Sequence, residues 1–523
     1  MGLGILEFLR QKVTKQQKTA FIGTFCFGLL IHLYMFSNYL PNRDAVLNFY
    51  TDQNMLISGR WALSLACGVS SYFNLPWIIG ICSIFFIALT AVLVVTIFRI
   101  TNPILILLTG GLLVSAPAIS ETFFFLFTAD GYMIAMFLSA LSVYLSRIGE
   151  NRKLAMLVSS ACICVSCGIY QAYVSFALIL AVCYFMNELF LNSAPKTAYF
   201  KWILRQVCVF TFALVSYYLI WKLLLKVTNT APSNYQGIDK VGTISADLLL
   251  NGLIRAFKSC ANFFIQWNIF KFGLTPYIAL NLLFIVCFIV GIIIAVIKSR
   301  LLSHQEWWKL ILVLLCLLAI VPFACIWHFV SNEVSYRAMM LHSLTILFIF
   351  TGMNFENWAN HFSKNLVGLL LGVIIFNNAL IANIGYTYLH LSYENSFAEA
   401  TEILSEYRSL SQDHEINRIA VLGSRWDDVM MTDIDPMTGE PTPIAQINVI
   451  SDTIDKSLLY NSQQIYHYLN YVFQLDLEYV HRAERYTIFN LPEVQAMNCW
   501  PEDNSICVID DILVIKLDNK WDE

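Results

Sequence analysis

Four charged side chains stand together directly after the first long apolar run. The stretch LPNRDAVLNFYTDQNMLISGRWALSL, residues 40–65, carries Arg43, Asp44, Asp52 and Arg60 in a chain of which only 13% is charged. A carboxylate can take a proton from a hydroxyl nucleophile, and a guanidinium binds phosphate through paired hydrogen bonds. Asp44 could cap a helix whose apolar residues recur at helical spacing, so the two acids would share one face of a helix along the membrane surface. The alternative is a solvated helix face without chemistry.

More polar residues occur where later apolar runs end. Charges near hydrocarbon cost a few kcal/mol when unpaired. A polar cavity shared by several segments therefore explains them better than chance, although each one alone is typical of a helix-end anchor. The candidate catalytic residues are Asp44 and then Asp52, and the candidate binding residues are Arg43, Arg60, Glu121, Asp130, Gln171, Tyr173, His328, Glu333, Tyr336 and Arg337.

The elements that must position these residues are membrane spans. The chain has 523 residues, of which 58% are hydrophobic and 13% charged, whereas soluble proteins average about 25% charged residues. This composition predicts an α-helical polytopic membrane protein. Eleven spans are expected, with residues 154–190 divided in two at Gly168; the others cover about 19–40, 76–98, 103–120, 129–147, 207–227, 273–297, 307–330, 337–353 and 365–389.

Lys and Arg in the connections predict the orientation. With a cytoplasmic N-terminus, the inner segments hold fifteen of these residues and the short outer connections only three, Arg43, Arg60 and Arg337. Positive residues favour the cytoplasmic side. An odd number of spans then places the C-terminal part outside, together with the first loop.

Charge also divides the chain into two domains. Residues 391–523 hold 24 acidic and 8 basic residues, a net charge of −16, whereas residues 1–390 have a net charge of +12. We expect a membrane domain over 1–390, with outer loops at 41–75 and 228–272, and an acidic extracytoplasmic α/β domain over 391–523. An acidic domain argues against nucleic acid as a partner.

Short β-rich runs predict the fold of the acidic domain. They are RIAVLG (418–423), QINVI (446–450) and CVIDDILVIKL (507–517), and they alternate with a helical pattern over 396–412 and a DPMTGEPTP loop over 435–443. Cys499 and Cys507 could form a disulfide if this domain lies in an oxidising compartment. No pattern predicts a zinc or nucleotide site.

Several segments resemble one known family. They are ISGRWALSL (57–65), SAPAISETFFFLFTADGYMIAMFLSALSVYL (115–145), GIYQAYVSFALIL (168–180) and WPEDNSICVIDDILVIKL (500–517). They are similar to the O-antigen glucosyltransferases of phages and bacteria, the Gtr type II family, and the resemblance covers most of the chain.

The resemblance implies a GT-C glycosyltransferase of the bacterial inner membrane. Its donor would be undecaprenyl-phosphoglucose, its acceptor a hydroxyl of the O-antigen repeat in lipopolysaccharide, and the transfer periplasmic. A carboxylate in the first outer loop typically serves as base in this class, and Asp44 matches it, with Asp52 in reserve. Associated partners would include a flippase and an enzyme that makes the donor. A divalent metal stays open, because the two acids could hold one but nothing requires it.

The leaving phosphate needs a cation, and Arg337 is the first choice, followed by Arg43 and Arg60. Attack without an enzyme-bound glycosyl intermediate would invert the anomeric centre. The rival hypothesis is a transporter or lipid-linked sugar flippase, which would show repeats and broken spans at mid-membrane. A structural or immunity membrane protein and a GT-C enzyme for another sugar are further alternatives.

Overall fold

The chain folds into two compact units. The computed structural model describes residues 13–148, 153–191, 194–240, 246–265, 275–303, 306–425, 437–439 and 458–521. The membrane unit comprises Met1–Asn38 and Thr51–Asn383, and the tail unit comprises Tyr39–Tyr50 and Ile384–Glu523. The sequence placed the boundary at residue 390, and it assigned residues 39–40 to the end of the first span and residues 41–50 to the first outer loop of the membrane domain. Contacts instead group that segment with the C-terminal residues.

The membrane unit is a bundle of apolar helices, as the composition predicts. Ten helices in the described residues are long and apolar enough to cross a membrane, and Lys153–Ile169 is a shorter apolar helix. Proline at the first helical position starts three of the helices. Numbered along the chain, and with the shorter helices included, the α-helices are α1 (Lys15–Ser37), α2 (Leu63–Cys67), α3 (Pro76–Phe98), α4 (Pro103–Ser115), α5 (Pro117–Phe124), α6 (Ala129–Leu145), α7 (Lys153–Ile169), α8 (Tyr173–Leu191), α9 (Lys196–Thr228), α10 (Ala246–Ile265), α11 (Tyr277–Lys298), α12 (Trp307–Ala324), α13 (Thr345–Trp358) and α14 (His361–Leu410).

One predicted break is confirmed, and two predicted segments differ from the structure. The break at Gly168 is present, because α7 ends at Ile169 and α8 begins at Tyr173. The predicted span 337–353 is instead two 3₁₀ turns, Ala338–Met340 and His342–Leu344, followed by the 14-residue helix α13. The predicted loop 228–272 contains the 20-residue helix α10.

Small residues allow the first helices to approach closely. A methyl group added to Gly28 of α1 would lie 2.7 Å from Ile84 Cγ2 of α3, and one added to Gly80 of α3 would overlap the ring of Phe36. Transmembrane helices associate largely through such packing, because lipid is as apolar as their side chains. These contacts hold α1 against α3 near the end where the polar segments lie.

The tail unit contains a small mixed sheet, as its β-rich runs predict. Strands β1 (Arg418–Leu422), β2 (Glu478–Tyr479), β3 (Ile506–Ile509) and β4 (Ile512–Lys516) lie in the order β2-β1-β4-β3. β1 pairs in parallel with β2 and β4, whereas β3 and β4 form an antiparallel hairpin, so the run 507–517 is two strands. Three helices complete the unit, α15 (Ser462–Val472), α16 (Arg482–Phe489) and α17 (Pro492–Gln495).

The remaining predictions for the tail have mixed outcomes. The helical pattern over 396–412 is the C-terminal part of α14. The run 446–450 lies outside the described residues, and of the loop 435–443 only residues 437–439 are described. Cys499 and Cys507 are both free thiols, and Cys507 contacts the Met497 sulfur at 3.5 Å.

Candidate functional site

Asp44 lies in a short turn that is packed into the tail unit. Val46, two residues later, is 6% exposed and belongs to the same hydrophobic cluster as Ile465 and Leu469 of α15. The Asn42 side chain accepts the Ala45 N–H at 2.9 Å, so Asn42 rather than Asp44 caps the 3₁₀ turn. Burial of the turn therefore fixes the backbone around Asp44 while its side chain takes no part in capping.

The Asp44 carboxylate is half-buried and available for a ligand. No hydrogen bond or ion pair reaches it from any residue that the structure describes. Arg43 lies over the ring of Tyr460, with 5.5 Å between the guanidinium carbon and the ring centroid. Burial raises the pKa of Tyr460, and the negative charge of Asp44 adds to this while Arg43 opposes it. Arg43, Asp44 and Tyr460 thus form one polar cluster in the tail unit.

Asp52 lies elsewhere, and the predicted interface helix over 45–65 was wrong. Asp52 is exposed and accepts the Asn54 N–H at 3.0 Å, which bends the chain locally. Met55 and Arg60 then form an isolated β-bridge around Gly59, whose φ is +78°. Side chains that bond to their own backbone and a glycine at positive φ both compete with helix. The two acids therefore share no helix face, and they belong to different units.

Arg60 is held against stacked tyrosines of the membrane unit. Its Nη1 donates to the Tyr132 hydroxyl at 3.2 Å, and its guanidinium carbon lies 4.6 Å from the Tyr170 ring centroid. The rings of Tyr132 and Tyr170 stack at 4.4 Å. The cation–π contact and the hydrogen bond orient the guanidinium of Arg60. Tyr173 continues this aromatic cluster, with its ring 4.0 Å from the ring of His342.

Hydrogen bonds of Gln171 connect the turn at Gly59 to helices α8 and α9. Its side-chain amide donates to the Ser58 carbonyl at 2.8 Å and to the Tyr217 hydroxyl at 3.1 Å. Tyr217 in turn donates to the Gly59 carbonyl at 3.1 Å. These bonds connect the first loop with the start of α8 and with α9.

Gly59→Ala should destabilise the membrane unit. A methyl group there would lie 2.8 Å from Gln171 Nε2 and would also overlap the Tyr217 hydroxyl, and the positive φ disfavours any side chain. Such backbone strain costs roughly 1–3 kcal/mol. We expect a lower apparent Tm of the purified protein in detergent than for Gly372→Ala, where the nearest atom is 4.0 Å away. Equal Tm values for the two variants would contradict this.

Glu121 holds the segment that carries Arg337. The Glu121 carboxylate, 1% exposed, accepts the backbone N–H of Met339. Arg337 is partly exposed, and its guanidinium carbon lies 5.8 Å from the Phe125 ring centroid. No carboxylate among the described residues lies within ion-pair distance of Arg337. Glu121 therefore binds the backbone of the Arg337 segment, whereas Arg337 has no acidic partner in the part of the chain that the structure describes.

Tyr336 and His328 lie in the turn that follows α12. The Tyr336 hydroxyl accepts the Trp327 N–H at 3.0 Å, and the Trp327 indole donates to the Gln171 carbonyl at 3.0 Å. His328 Nε2 lies 2.9 Å from the Ser259 hydroxyl of α10. Gln171 and Tyr336 are therefore connected through Trp327, which sequence reasoning did not single out, and the His328 ring lies 4.5 Å from the Tyr336 ring.

His328 should make the protein less stable in mild acid. Burial, together with the positive charge of Arg255, lowers the pKa of His328 from 6.5 to about 4. The unfolded chain therefore binds a proton first, so stability falls as the pH drops from about 6.5 to about 4. We expect the apparent Tm of the wild type to decline more steeply over this range than that of His328→Asn. Parallel Tm–pH curves would contradict this.

Asp130 and Glu333 are the two remaining candidate residues of the membrane unit. Asp130 is buried, accepts the Gly131 N–H at 2.8 Å, and lies at the start of α6 beside the first-loop helix α2. Glu333 is exposed, and its backbone N–H donates to the Ser331 hydroxyl at 3.1 Å. These two hydrogen bonds each join the residue to a neighbour in its own segment.

One end of the membrane unit thus gathers the candidate residues of that unit other than Asp52. We call it the site end; residues 56–61, 121–132, 168–173 and 326–340 lie there. Arg60 and Arg337 supply positive charge there, and the buried rings of Tyr132, Tyr170 and Tyr173 form an aromatic cluster beside Arg60. Within the described residues, no cluster of three or more His, Cys, Asp or Glu side chains could hold a metal ion.

Sequence reasoning missed Tyr132, Tyr170, Arg255 and His342. Tyr170 is next to Gln171 and could have been found from that position, whereas Arg255 was hidden in a segment expected to be a loop. The family comparison covers the whole set of candidates: a family model described as Glucosyl transferase GtrII matches residues 33–354. No curated protein and no solved structure matches the chain.

Proposed function

The chain belongs to the glucosyl transferase GtrII family, and from this premise we propose that it transfers glucose from a polyprenyl-phosphate donor to a hydroxyl of the O-antigen repeat. The family indicates a glucosyltransferase, and the apolar helices indicate that it is embedded in a membrane. A lipid-borne donor fits an enzyme whose candidate site lies at the ends of membrane helices, because the lipid tail can stay in the bilayer while the sugar phosphate reaches the site end.

Arg337 is the observation that supports this proposal most. It is a partly exposed guanidinium at the site end, held over Phe125, with no carboxylate partner among the described residues. Phosphate leaves with negative charge, and a fixed cation stabilises that charge as it develops. Arg60, oriented by Tyr132 and Tyr170, is the second candidate for the phosphate. Arg43, stacked on Tyr460 in the tail unit, is the third.

The proposed chemistry is a single displacement with inversion. The acceptor hydroxyl oxygen forms a bond with the anomeric carbon as the bond from that carbon to the donor phosphate oxygen breaks. Asp44 takes the hydroxyl proton, and the polyprenyl phosphate leaves with the bonding electron pair. General-base assistance of this kind contributes roughly 10²–10⁴-fold to the rate. Asp44 is preferred because its backbone is fixed while its carboxylate accepts no described hydrogen bond; Asp52 is the reserve.

We further propose that the tail unit lies in the periplasm and the N-terminus in the cytoplasm of the bacterial inner membrane. The distribution of Lys and Arg supports this orientation. A tag after Glu523 should therefore be cleaved by protease added to intact spheroplasts. A cytoplasmic N-terminal tag is the control and should be cleaved only after lysis. Protection of the C-terminal tag until lysis would overturn the orientation.

Mass spectrometry of the O-antigen tests the function itself. Lipopolysaccharide from cells with and without this protein should differ by one hexose per repeat, provided that the cells make the lipid-linked donor. Linkage analysis then identifies the acceptor hydroxyl. An unaltered repeat would contradict glucosyl transfer to this acceptor and would favour the transport of a lipid-linked sugar instead.

A further inference from the structure

Helix α10 is long and apolar enough to cross a membrane, but its contacts argue that it does not. A helix of this length extends about 30 Å, so a crossing helix would have its two ends on opposite membrane surfaces. The elements that contact the beginning, middle and end of α10 therefore show whether it crosses the membrane.

The approach to α10 starts at the site end. Gly237, nine residues before α10, lies so close to the Ser331 hydroxyl that a side chain at Gly237 would overlap it. Upstream of Gly237, the Ser233 N–H donates to the Ile57 carbonyl at 2.9 Å, which places that segment beside the first-loop turn. Residues 233–237, a few positions before α10, therefore lie at the site end.

The first half of α10 contacts the same turn after α12. Arg255 donates to the carbonyl oxygens of His328 at 2.9 Å and Ser331 at 3.2 Å. A methyl group at Gly252 would lie 2.7 Å from the His328 carbonyl oxygen. Cys260, one turn beyond Arg255, lies 3.7 Å from Cys325. Several turns of α10 thus contact the short segment that follows α12, residues 325–331.

The end of α10 contacts the start of α11. Tyr277 donates from its hydroxyl to the Phe263 carbonyl at 2.8 Å, and Asn281 donates to the Phe264 carbonyl at 3.2 Å. α11 ends at Lys298 and α12 begins at Trp307, so few residues separate them, and two crossing helices joined in this way must run antiparallel. The start of α11 and the end of α12 then lie on the same side, and α10 contacts both.

The side chains of α10 form three stripes. The buried stripe faces the protein and consists of Leu248, Gly252, Ala256, Cys260 and Phe263. An exposed apolar stripe has side chains that are 38–62% accessible, and an exposed polar stripe lies beside it. The apolar stripe consists of Leu249, Leu250, Leu253, Ile254 and Phe257, and the polar stripe of Asp247, Asn251, Lys258 and Asn262.

We propose that α10 lies along the membrane surface at the site end, with the apolar stripe inserted at the boundary between headgroups and acyl chains of that leaflet. Five large apolar side chains facing water would be unfavourable, and full immersion would place Asp247 and Lys258 in hydrocarbon at a cost of a few kcal/mol each. A surface position removes both costs, because such helices bury one face in lipid and keep the other in water. This inference does not depend on the proposed reaction.

Labelling with a membrane-impermeant maleimide tests the orientation of α10. In sealed membranes containing the full-length protein, Asn251→Cys, Lys258→Cys and Asn262→Cys should all react from the same side. Leu253→Cys, on the apolar stripe, is the matched control and should react only after detergent is added; the wild type gives the background of native cysteines. A crossing helix would instead leave position 258 unreactive, or expose 251 and 262 on opposite sides, and either result would overturn the proposal.

Photo-activatable lipids test, with the unmodified protein, whether lipid covers the apolar stripe of α10. In nanodiscs, a lipid with its diazirine near the glycerol should cross-link peptides containing residues 249–257, at least several-fold more than a lipid with its diazirine at the chain terminus. The reverse preference would indicate a span. Absence of lipid adducts there, as when a second copy of the chain covers the stripe, would also reject the proposal.

Discussion

Asp44→Asn should abolish glucosyl transfer while the protein remains in the membrane at its normal level. Asparagine keeps the size of the side chain but cannot accept a proton, so the rate should fall by at least about 10²-fold. The fold should tolerate the change, because the described bonds at this position use the Asp44 carbonyl, which accepts from Leu47 N–H at 3.2 Å and from Asn48 at 2.8 Å. The measurement is hexose incorporation per O-antigen repeat by mass spectrometry, normalised to protein in isolated membranes.

Two matched variants make this result interpretable. Asp413→Asn removes an exposed acid from the same tail unit and should leave transfer unchanged. Asp52→Asn tests the reserve base. Near-normal transfer by Asp44→Asn would reject Asp44 as the base, and loss of transfer in Asp52→Asn alone would assign the role to Asp52.

Arg337→Ala should lower kcat/KM for the lipid donor by roughly 10²–10³-fold, the usual effect of removing one group that stabilises developing negative charge. Arg337→Lys should recover part of the activity, because it keeps the charge but loses the paired hydrogen-bond geometry. Little structural damage is expected, since the side chain is partly exposed and lies over Phe125 without an acidic partner in the described residues. The measurement is transfer from synthetic polyprenyl-phosphoglucose by purified protein.

Arg147→Ala provides the control for loss of an arginine on an aromatic ring. Arg147 lies 4.0 Å from the Tyr144 ring centroid at the other end of α6, away from the site end. Its removal should leave kcat/KM close to the wild-type value. If Arg337→Ala also keeps wild-type kinetics, the phosphate is bound elsewhere, and Arg60→Ala becomes the next variant to measure.

The fold class could be predicted because its signals are local. Apolar runs predict helices wherever the surroundings are lipid or other apolar helices, and proline at the start of α3, α4 and α5 marks their first residues. Helix α10 was missed because its apolar residues are divided between two stripes by Asn251, Arg255 and Lys258. The segment therefore contains no long uninterrupted apolar run, although each stripe is regular.

The site could be predicted only in part, because its geometry depends on contacts distant in sequence. The sequence indicated which polar residues stand at helix ends, and the structure shows that Gln171, Tyr336 and Arg60 lie in one contact network. It could not indicate that Glu121 is engaged by the Met339 N–H, 218 residues away. Nor could it separate Asp44 from Asp52, because the grouping of residues 39–50 with the C-terminal residues follows from the burial of Val46 among side chains more than 350 positions later.

That burial has a consequence for biosynthesis. The turn around Asp44 leaves the ribosome early, but the strands and helices that enclose Val46 are translated last. At usual rates of synthesis, roughly 5–20 residues per second, the segment waits on the order of half a minute to a minute and a half until the residues that bury Val46 have been synthesised. A nascent or prematurely terminated chain can therefore insert its helices yet lack an ordered Asp44, the proposed base, so on this proposal transfer activity would be acquired only after the C-terminal residues have been translated.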